Sequence, residues 1–307
     1  MAIFGARMIG VTILGNNSAL AAHGRHPTAQ VVNVENNLLL LDCGEGTQMR
    51  CMDFGVKRSK INHIFISHLH GDHYFGLIGW LTTLALLGRT QDLHVFAPEL
   101  MQNIINAHLS ASNAVFPYKL IFHPLKTEGL ILEEKQFTVS CFKTVHKIEC
   151  FGFLVKENHK PRRLIYENAV AAGIPKTFFT QLQNGKDYVS PTGTVVKNEQ
   201  VTAEGKENLS YAFCADTVYT EQFLPFIKNV DLLYHEATYL NDFAAQAKER
   251  LHSTAAQAAM LAQKAGAKKL LLGHFSSKYS DLSAFEAEAK SIFPHTEISK
   301  EGETYFV

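Results

Sequence analysis

Residues 67–73 read SHLHGDH, directly after residues 63–66, HIFI, which read as a strand. Three imidazoles and a carboxylate therefore fall on the turn leaving that strand. A surface loop has no need of them, and a core cannot hold them unpaired. Imidazole with carboxylate is a ligand set for Zn²⁺ and related divalent ions. His68 and His70 project the same way at i and i+2 and can share one ion. Asp72 and His73 lie past the turn and can reach a second. Gly71 is expected to let the backbone turn tightly between the two pairs. Two ions need more donors than one loop offers. His146 (KTVH), Asp216 (CADT) and His274 (LLGHF) each follow an apolar run, where a strand would deliver a side chain to a sheet edge. Taken singly, each is as readily a capping or hydrogen-bonding residue.

Working outward, short β-rich runs alternate with helix-like runs. The strand expectations are residues 8–14, 31–34, 38–42, 63–67, 93–97, 137–143, 151–155, 210–215, 232–235, 269–273 and 304–307. Helices are expected over 46–54, 73–87, 98–109, 220–227, 253–265 and 283–293. In the fifth, STAAQAAMLAQKA is rich in strong helix formers. Ser253 or His252 would start it, and Gly266 would stop it. The alternation gives an α/β class.

Composition sets outer limits. The chain has 307 residues, 46% hydrophobic and 19% charged, enough for a substantial core. No apolar run approaches the ~20 residues a bilayer span requires, so no membrane partner is expected. MAIFGARMIGVTILG lacks the basic start, clean apolar core and cleavage site of a secretory signal, and the expected location is the cytoplasm. Cys43, Cys51, Cys141, Cys150 and Cys214 are odd in number, scattered, and form no C-x-x-C. That argues against a disulfide framework or zinc ribbon and for buried free thiols. Lys+Arg and Asp+Glu balance at 29 each, unlike a generic nucleic-acid binder, although a local basic patch stays open.

H-x-H-x-D-H followed by a distant His, an Asp and a final His resembles the metallo-β-lactamase superfamily. The resemblance implies a four-layer αββα sandwich, with His68, His70 and His146 on one ion, Asp72, His73 and His274 on the other, and Asp216 bridging. It implies two Zn²⁺ per subunit, with Mn²⁺ or another divalent ion as alternatives. Further motifs are similar to ribonuclease Z: LLLLDCGEGTQ (38–48), HEAT (235–238), HST (252–254) and GHFSSKYSD (273–281). Asp42 and Glu45 are open to two readings, a strand-end turn with a helix cap, or for Asp42 support of a metal ligand. Glu236 and His252 could form a structural pair. The resemblance instead has them meet near a scissile phosphate, where a carboxylate-oriented His252 donates a proton to the leaving 3′ oxygen. It makes Ser276 and Lys278 phosphate contacts, Lys278 standing where arginine is usual and lacking its bidentate geometry.

The implied partner is precursor tRNA. The implied reaction is hydrolysis of one phosphodiester by a water activated between two ions, with Asp72 accepting a proton and the tRNA keeping a 3′-hydroxyl. Residues 156–206, punctuated by Gly and Pro, lie where the family carries an inserted, protruding tRNA-binding arm within an otherwise single domain spanning 1–307. The segment holds eight basic residues (Lys156, Lys160, Arg162, Arg163, Lys176, Lys186, Lys197, Lys206) against five acidic ones, a balance suited to phosphate docking. AAGIPKTFFTQLQNGKDYV resembles the arm's pattern, but Lys176–Thr177 replaces the usual Gly-Pro. The family's arms act from a dimer partner, so a homodimer is expected. The usual P-x-K-x-R-N loop is also absent; residues 16–30 read NNSALAAHGRHPTAQ, with Arg25 and His26 as nearest counterparts. Whether cleavage precedes or follows an encoded CCA stays open. The competing reading is a metal-dependent small-molecule hydrolase, such as a phosphodiesterase or arylsulfatase-like enzyme, on the same site.

Overall fold

Along each inner strand of this protein, alternate side chains leave for opposite faces. A computed structural model describes residues 9–158, 161–205 and 207–307. Met8, Lys160 and Lys206, used in the sequence reading, lie outside the described residues.

The strands before the middle of the chain are β1 (Gly10–Gly15), β2 (Ala29–Val34), β3 (Asn37–Leu41), β4 (Ile61–Phe65), β5 (Leu93–Pro98), β6 (Leu120–Leu125), β7 (Gly129–Glu133), β8 (Phe137–Lys143) and β9 (Phe151–Glu157). Between them come α1 (Thr47–Asp53), α2 (Gly71–Leu86) and α3 (Leu100–Ser112). Next come β10 (Arg163–Leu164), α4 (Tyr166–Ala171), α5 (Phe179–Gln183), β11 (Tyr188–Val189), β12 (Val195–Val196), α6 (Asn198–Val201) and β13 (Thr202–Ala203). The chain closes with β14 (Ser210–Cys214), α7 (Leu224–Ile227), β15 (Leu232–Glu236), α8 (Ala244–Glu249), α9 (Ala255–Ala265), β16 (Lys269–Gly273), α10 (Ser283–Lys290), β17 (Thr296–Ile298) and β18 (Thr304–Phe306).

One seven-stranded sheet has the order β18-β1-β2-β3-β4-β5-β6, and a second β17-β16-β15-β14-β9-β8-β7. Leu39, Leu41, Phe65, Val139, Phe153, Tyr234 and Leu271, drawn from both sheets, share one buried cluster. The alternate residues Leu40, Ile64 and Val95 turn outward onto Leu77, Trp80 and Leu81 of α2 and Met101 and Ile105 of α3. Leu233, Leu270 and Leu272 turn outward onto the alanine-rich face of α9 and Phe285 of α10. These faces give four layers, αββα. Strands β3–β6 run parallel, as do β14–β17.

The chain separates into two compact units: residues up to Lys156 together with Leu209–Val307, and Glu157–Asn208. Within the second, Ala169, Ile174, Leu182 and Val201 form a small core, and the Asn198 amide donates to the carbonyls of Leu182 and Lys186. The five cysteines are free and buried.

Several local expectations need correction. α2 begins at Gly71, two residues before the expected start, so Asp72 joins His73 on its first helical turn. Gly71 is not among the positive-φ glycines; its lack of a side chain makes room for the Phe75 ring, 2.2 Å from where a Cβ would be. The cap of α9 is Thr254, not Ser253 or His252. Its hydroxyl accepts from the Gln257 amide while the Gln257 side chain accepts from the Thr254 amide. Residues 220–227 hold only the single turn α7, because Pro225 has no amide hydrogen to donate and is tolerated only in a helix's first turn, so the helix cannot begin near 220. Strands β6 and β7 were not expected. Both are sheet edges with only part-buried faces, and an edge tolerates the Pro124 that spoils the strand pattern.

Candidate metal centre

Parallel strands place their carboxyl ends at one edge, and the histidines collect there. The turn after β4 supplies His68 and His70, the first turn of α2 supplies Asp72 and His73, and the β8–β9 connection supplies His146. Asp216 follows β14 and His274 follows β16. All seven metal-ligand candidates come together.

They fall into two sets of donor atoms. In the first, Nδ1 of His70 lies 3.1 Å from Nε2 of His68 and 3.1 Å from Nε2 of His146. Oδ2 of Asp216 is 3.6 and 3.7 Å from the same two Nε2 atoms. In the second, Nε2 of His73 is 3.2 Å from Nε2 of His274. Oδ2 of Asp72 is 3.5 and 3.4 Å from these nitrogens, and Oδ1 of Asp216 is 3.4 and 3.2 Å from them. Donors at ordinary bond length from a tetrahedral ion stand roughly 3.4 Å apart, and both sets match that spacing. Asp216 turns one oxygen to each set. Its Oδ1 is buried and has no hydrogen-bond donor, which an ion would remedy. The residues therefore fit a pair of divalent cations.

The electrostatics agree. Burial, reinforced by His73, holds His68 well below the ordinary imidazole range, and burial lowers His70 and His146 too, leaving neutral rings able to ligate. His73 goes the other way. Burial opposes its charge, but Asp216, Asp72 and Asp42 outweigh that and hold it well above its usual value. Burial also opposes the charge on Asp72 and Asp216, yet His73 and His274 keep both carboxyls well below the usual range. The carboxylates thus call for positive charge at this spot.

Four of the rings have their second nitrogen fixed. Nδ1 of His73 donates to Asp42 Oδ2 at 2.7 Å, and Nδ1 of His146 donates to the Leu251 carbonyl at 2.9 Å. Nδ1 of His274 lies 3.0 Å from the Thr238 hydroxyl, and Nδ1 of His68 lies 3.0 Å from that of Ser67. Such contacts orient a ligand and set its tautomer. Asp42 also accepts from the amide and hydroxyl of Ser67, so it ties the His73 ring to the strand end and does not cap α1. Glu45 is exposed and does not cap α1, whose cap is Gly46. Ala19, Asp42, Leu251 and His274 all adopt positive φ, between 56° and 64°, a strained backbone that concentrates where function fixes geometry.

Beside the donors, Glu236 Oε1 accepts from Nδ1 of His252 at 2.8 Å. Burial opposes charge on His252, but Glu236 more than offsets it and pushes the pKa up to about 9. The Thr238 hydroxyl donates to Glu236 Oε2 at 2.8 Å, joining this pair to His274. Ser276 is half-buried, with its amide donating to the Thr238 carbonyl. The Lys278 ammonium stands 2.8 Å above the Phe243 ring. Arg25 does not face the donors. Its guanidinium donates to Asn17 Oδ1 at 2.9 Å and to the carbonyls of Tyr279 and Ser280. From the same loop, the Ala19 amide donates to Asp72 Oδ2 at 2.7 Å. A cleft of about 450 Å³ opens over the site, lined by His70, Asp72, His146, Asp216 and His252, and also by Phe75, Lys147 and Arg250. Sequence reasoning missed Thr238, Leu251, Ala19, Lys147 and Arg250. Thr238 closes the HEAT motif and Lys147 adjoins His146; the other three carried no signal.

The family described as "Anti-Pycsar protein Apyc1" matches residues 9–160. The Ribonuclease Z of Bacteroides fragilis (strain ATCC 25285) is 40% identical over 291 residues, covering 94% of this chain and 96% of that protein. The Ribonuclease Z of Parabacteroides distasonis is 39% identical over 294 residues, covering 95% and 97%. Among solved structures, human tRNase Z, short form, superposes with a TM-score of 0.70 at 26% identity, covering 96% of this chain and 98% of that one. The metallo-β-lactamase fold protein YhfI from Bacillus subtilis gives a TM-score of 0.68 at 20% identity, covering 98% and 100%, a likeness of fold.

Proposed function

This chain belongs to the ribonuclease Z family, and from that premise we propose how its metal centre, its Glu236–His252 pair and its inserted unit serve the removal of a 3′ trailer from precursor tRNA. The protein is a metal-dependent endoribonuclease that processes the 3′ end of tRNA. The observation that supports the detailed reading is the position of Asp216, one oxygen in each of two donor sets.

In this reading His68, His70, His146 and Asp216 hold one Zn²⁺, and Asp72, His73, His274 and Asp216 hold the other. When bound, the ions supply an activated water at neutral pH and polarise the phosphate. Asp72, which lines the cleft, accepts a proton from the attacking water. Glu236 fixes the His252 ring through Nδ1, leaving Nε2 to donate to the departing 3′ oxygen, so the tRNA keeps a 3′-hydroxyl. Ser276 and Lys278 are proposed to contact substrate phosphates, Lys278 after leaving the Phe243 ring, and Arg25 is proposed to act through the loop it anchors. The unit at 157–208 is proposed as the tRNA-binding arm, working from the second copy of a cytoplasmic homodimer. No described helix is long and apolar enough to cross a membrane.

The test is incubation with a 3′-extended precursor tRNA and Zn²⁺ or Mn²⁺. The expected product is trailer-free tRNA, and His70→Ala is expected to abolish its formation and to lower the bound-metal content. A variant keeping both metals and near-full activity would contradict the ligand assignment. A second reading, a small-molecule hydrolase on the same site, draws on the balanced charge. Rapid turnover of a small phosphodiester without tRNA cleavage would favour it.

A further inference from the structure

The cleft over the donors has two walls of different chemistry. Its volume of about 450 Å³ lies within the ~300–1,000 Å³ usual for small-ligand sites. One wall carries Lys147 and Arg250. Lys147 directly follows the ligand His146, and Arg250 directly precedes Leu251, whose carbonyl holds the His146 ring. Both are therefore tied to the centre through the backbone, with exposed side chains. The nearby Lys143 is taken up by Glu149. Lys147 and Arg250 have no ion-pair partner among the described residues, and Arg250 makes one neutral contact, donating to the Tyr239 hydroxyl at 3.2 Å. Ammonium and guanidinium groups left without carboxylates, beside a site that takes a polyanion, suit phosphate.

The other wall carries Ala19 and Phe75. Phe75 is 62% exposed, although the adjoining turns of α2 bury Leu77, Trp80 and Leu81. Its ring packs over Gly71, closing the space where a side chain would stand, and meets the Tyr74 ring edge-on at 5.1 Å between centroids. An aromatic held in place yet open to solvent is a stacking platform for a base.

We propose that this cleft is a nucleotide subsite, in which Phe75 stacks the base of a nucleotide flanking the scissile phosphate while Lys147 and Arg250 hold that nucleotide's phosphate. The assignment rests on the endonuclease reading above and extends it to residues with no part in that reading. Phe75 and the two cations act on affinity, not on the bond-breaking step.

Calorimetric titration of the metal-loaded protein with AMP, ribose 5-phosphate and inorganic phosphate tests the aromatic wall. AMP is expected to bind roughly tenfold more tightly than ribose 5-phosphate. Phe75→Ala is expected to remove that advantage and Phe75→Trp to keep it, both with unchanged metal content and melting temperature. For the other wall, the Lys147→Ala, Arg250→Ala double variant is expected to weaken precursor-tRNA binding and to flatten its dependence on log salt by about one to two. The proposal is overturned if AMP has no advantage, if the advantage survives Phe75→Ala, or if the double variant leaves the salt dependence unchanged. Should the wild type fail to cleave precursor tRNA while AMP still binds through Phe75, the endonuclease reading falls and the subsite stands.

Discussion

Thr238 shows how single atoms organise the centre. Its hydroxyl donates to Glu236 Oε2 and accepts from Nδ1 of His274, so one buried group orients both His274 and the carboxylate behind His252. Thr238→Val keeps the shape but leaves that carboxylate oxygen and ring nitrogen without this partner. The expected result is a ten- to hundredfold loss of metal affinity, with Thr238→Ser restoring most of it, read by metal titration against a competing chelator. Equal affinity in the valine variant and the wild type would remove Thr238 from this role. His274 itself sits at φ 58°, a conformation that an unsupported histidine would leave.

Among the elements, α9 carries the outer face of the second sheet on a run of buried alanines. Its start depends on the reciprocal Thr254–Gln257 cap, so Thr254→Ala is expected to cost about 1 kcal/mol, visible as a lower urea midpoint with an unchanged slope. At the opposite side of the fold, β4, β5 and β6 align His63, His94 and His123 on the inter-sheet face. Nδ1 of His94 lies 2.9 Å from Nε2 of His123, and Glu134, beyond β7, is 3.7 Å from His63. Burial, then His94, His123 and Arg89, depress the His63 pKa to about 4. The ring is thus neutral in the fold, whereas the unfolded chain takes up its proton near pH 6.5. The contribution is complete above pH 6.5 and is lost as the pH falls toward 4, by up to roughly 3 kcal/mol. Urea midpoints at pH 7 and pH 5 should converge less for the wild type than for His63→Leu. The same acid dependence in both proteins would refute this.

On the scale of the whole molecule, the inserted unit leaves the sandwich from paired neighbours, since Lys156 on β9 lies opposite Ser210 on β14. Those ends are already adjacent. Replacing residues 161–205 by a short Gly-Ser linker should therefore leave the sandwich folded. The expected effect is a rise of more than tenfold in KM for precursor tRNA, with a small phosphodiester hydrolysed at nearly the wild-type rate. Equal loss on both substrates would count against a separate tRNA grip.

The resemblance to ribonuclease Z supplied the pairing of Glu236 with His252, and the residues themselves supplied the class of fold and the seven ligand candidates. Those features repeat locally: apolar runs at strand spacing, and donors at the position where each run stops. Only the tertiary structure decided that Asp42 locks His73, that Thr238 joins His274 to Glu236, that Leu251 aims His146 across 105 residues of chain, and that Arg25 is taken up by Asn17 and the carbonyls of Tyr279 and Ser280. The physical reason is that a hydrogen bond depends on where two atoms meet in space, while a periodic pattern records only which face a residue occupies. Edge strands such as β6 escaped for a related cause. Half-buried on both faces, they show no alternation for the sequence to record.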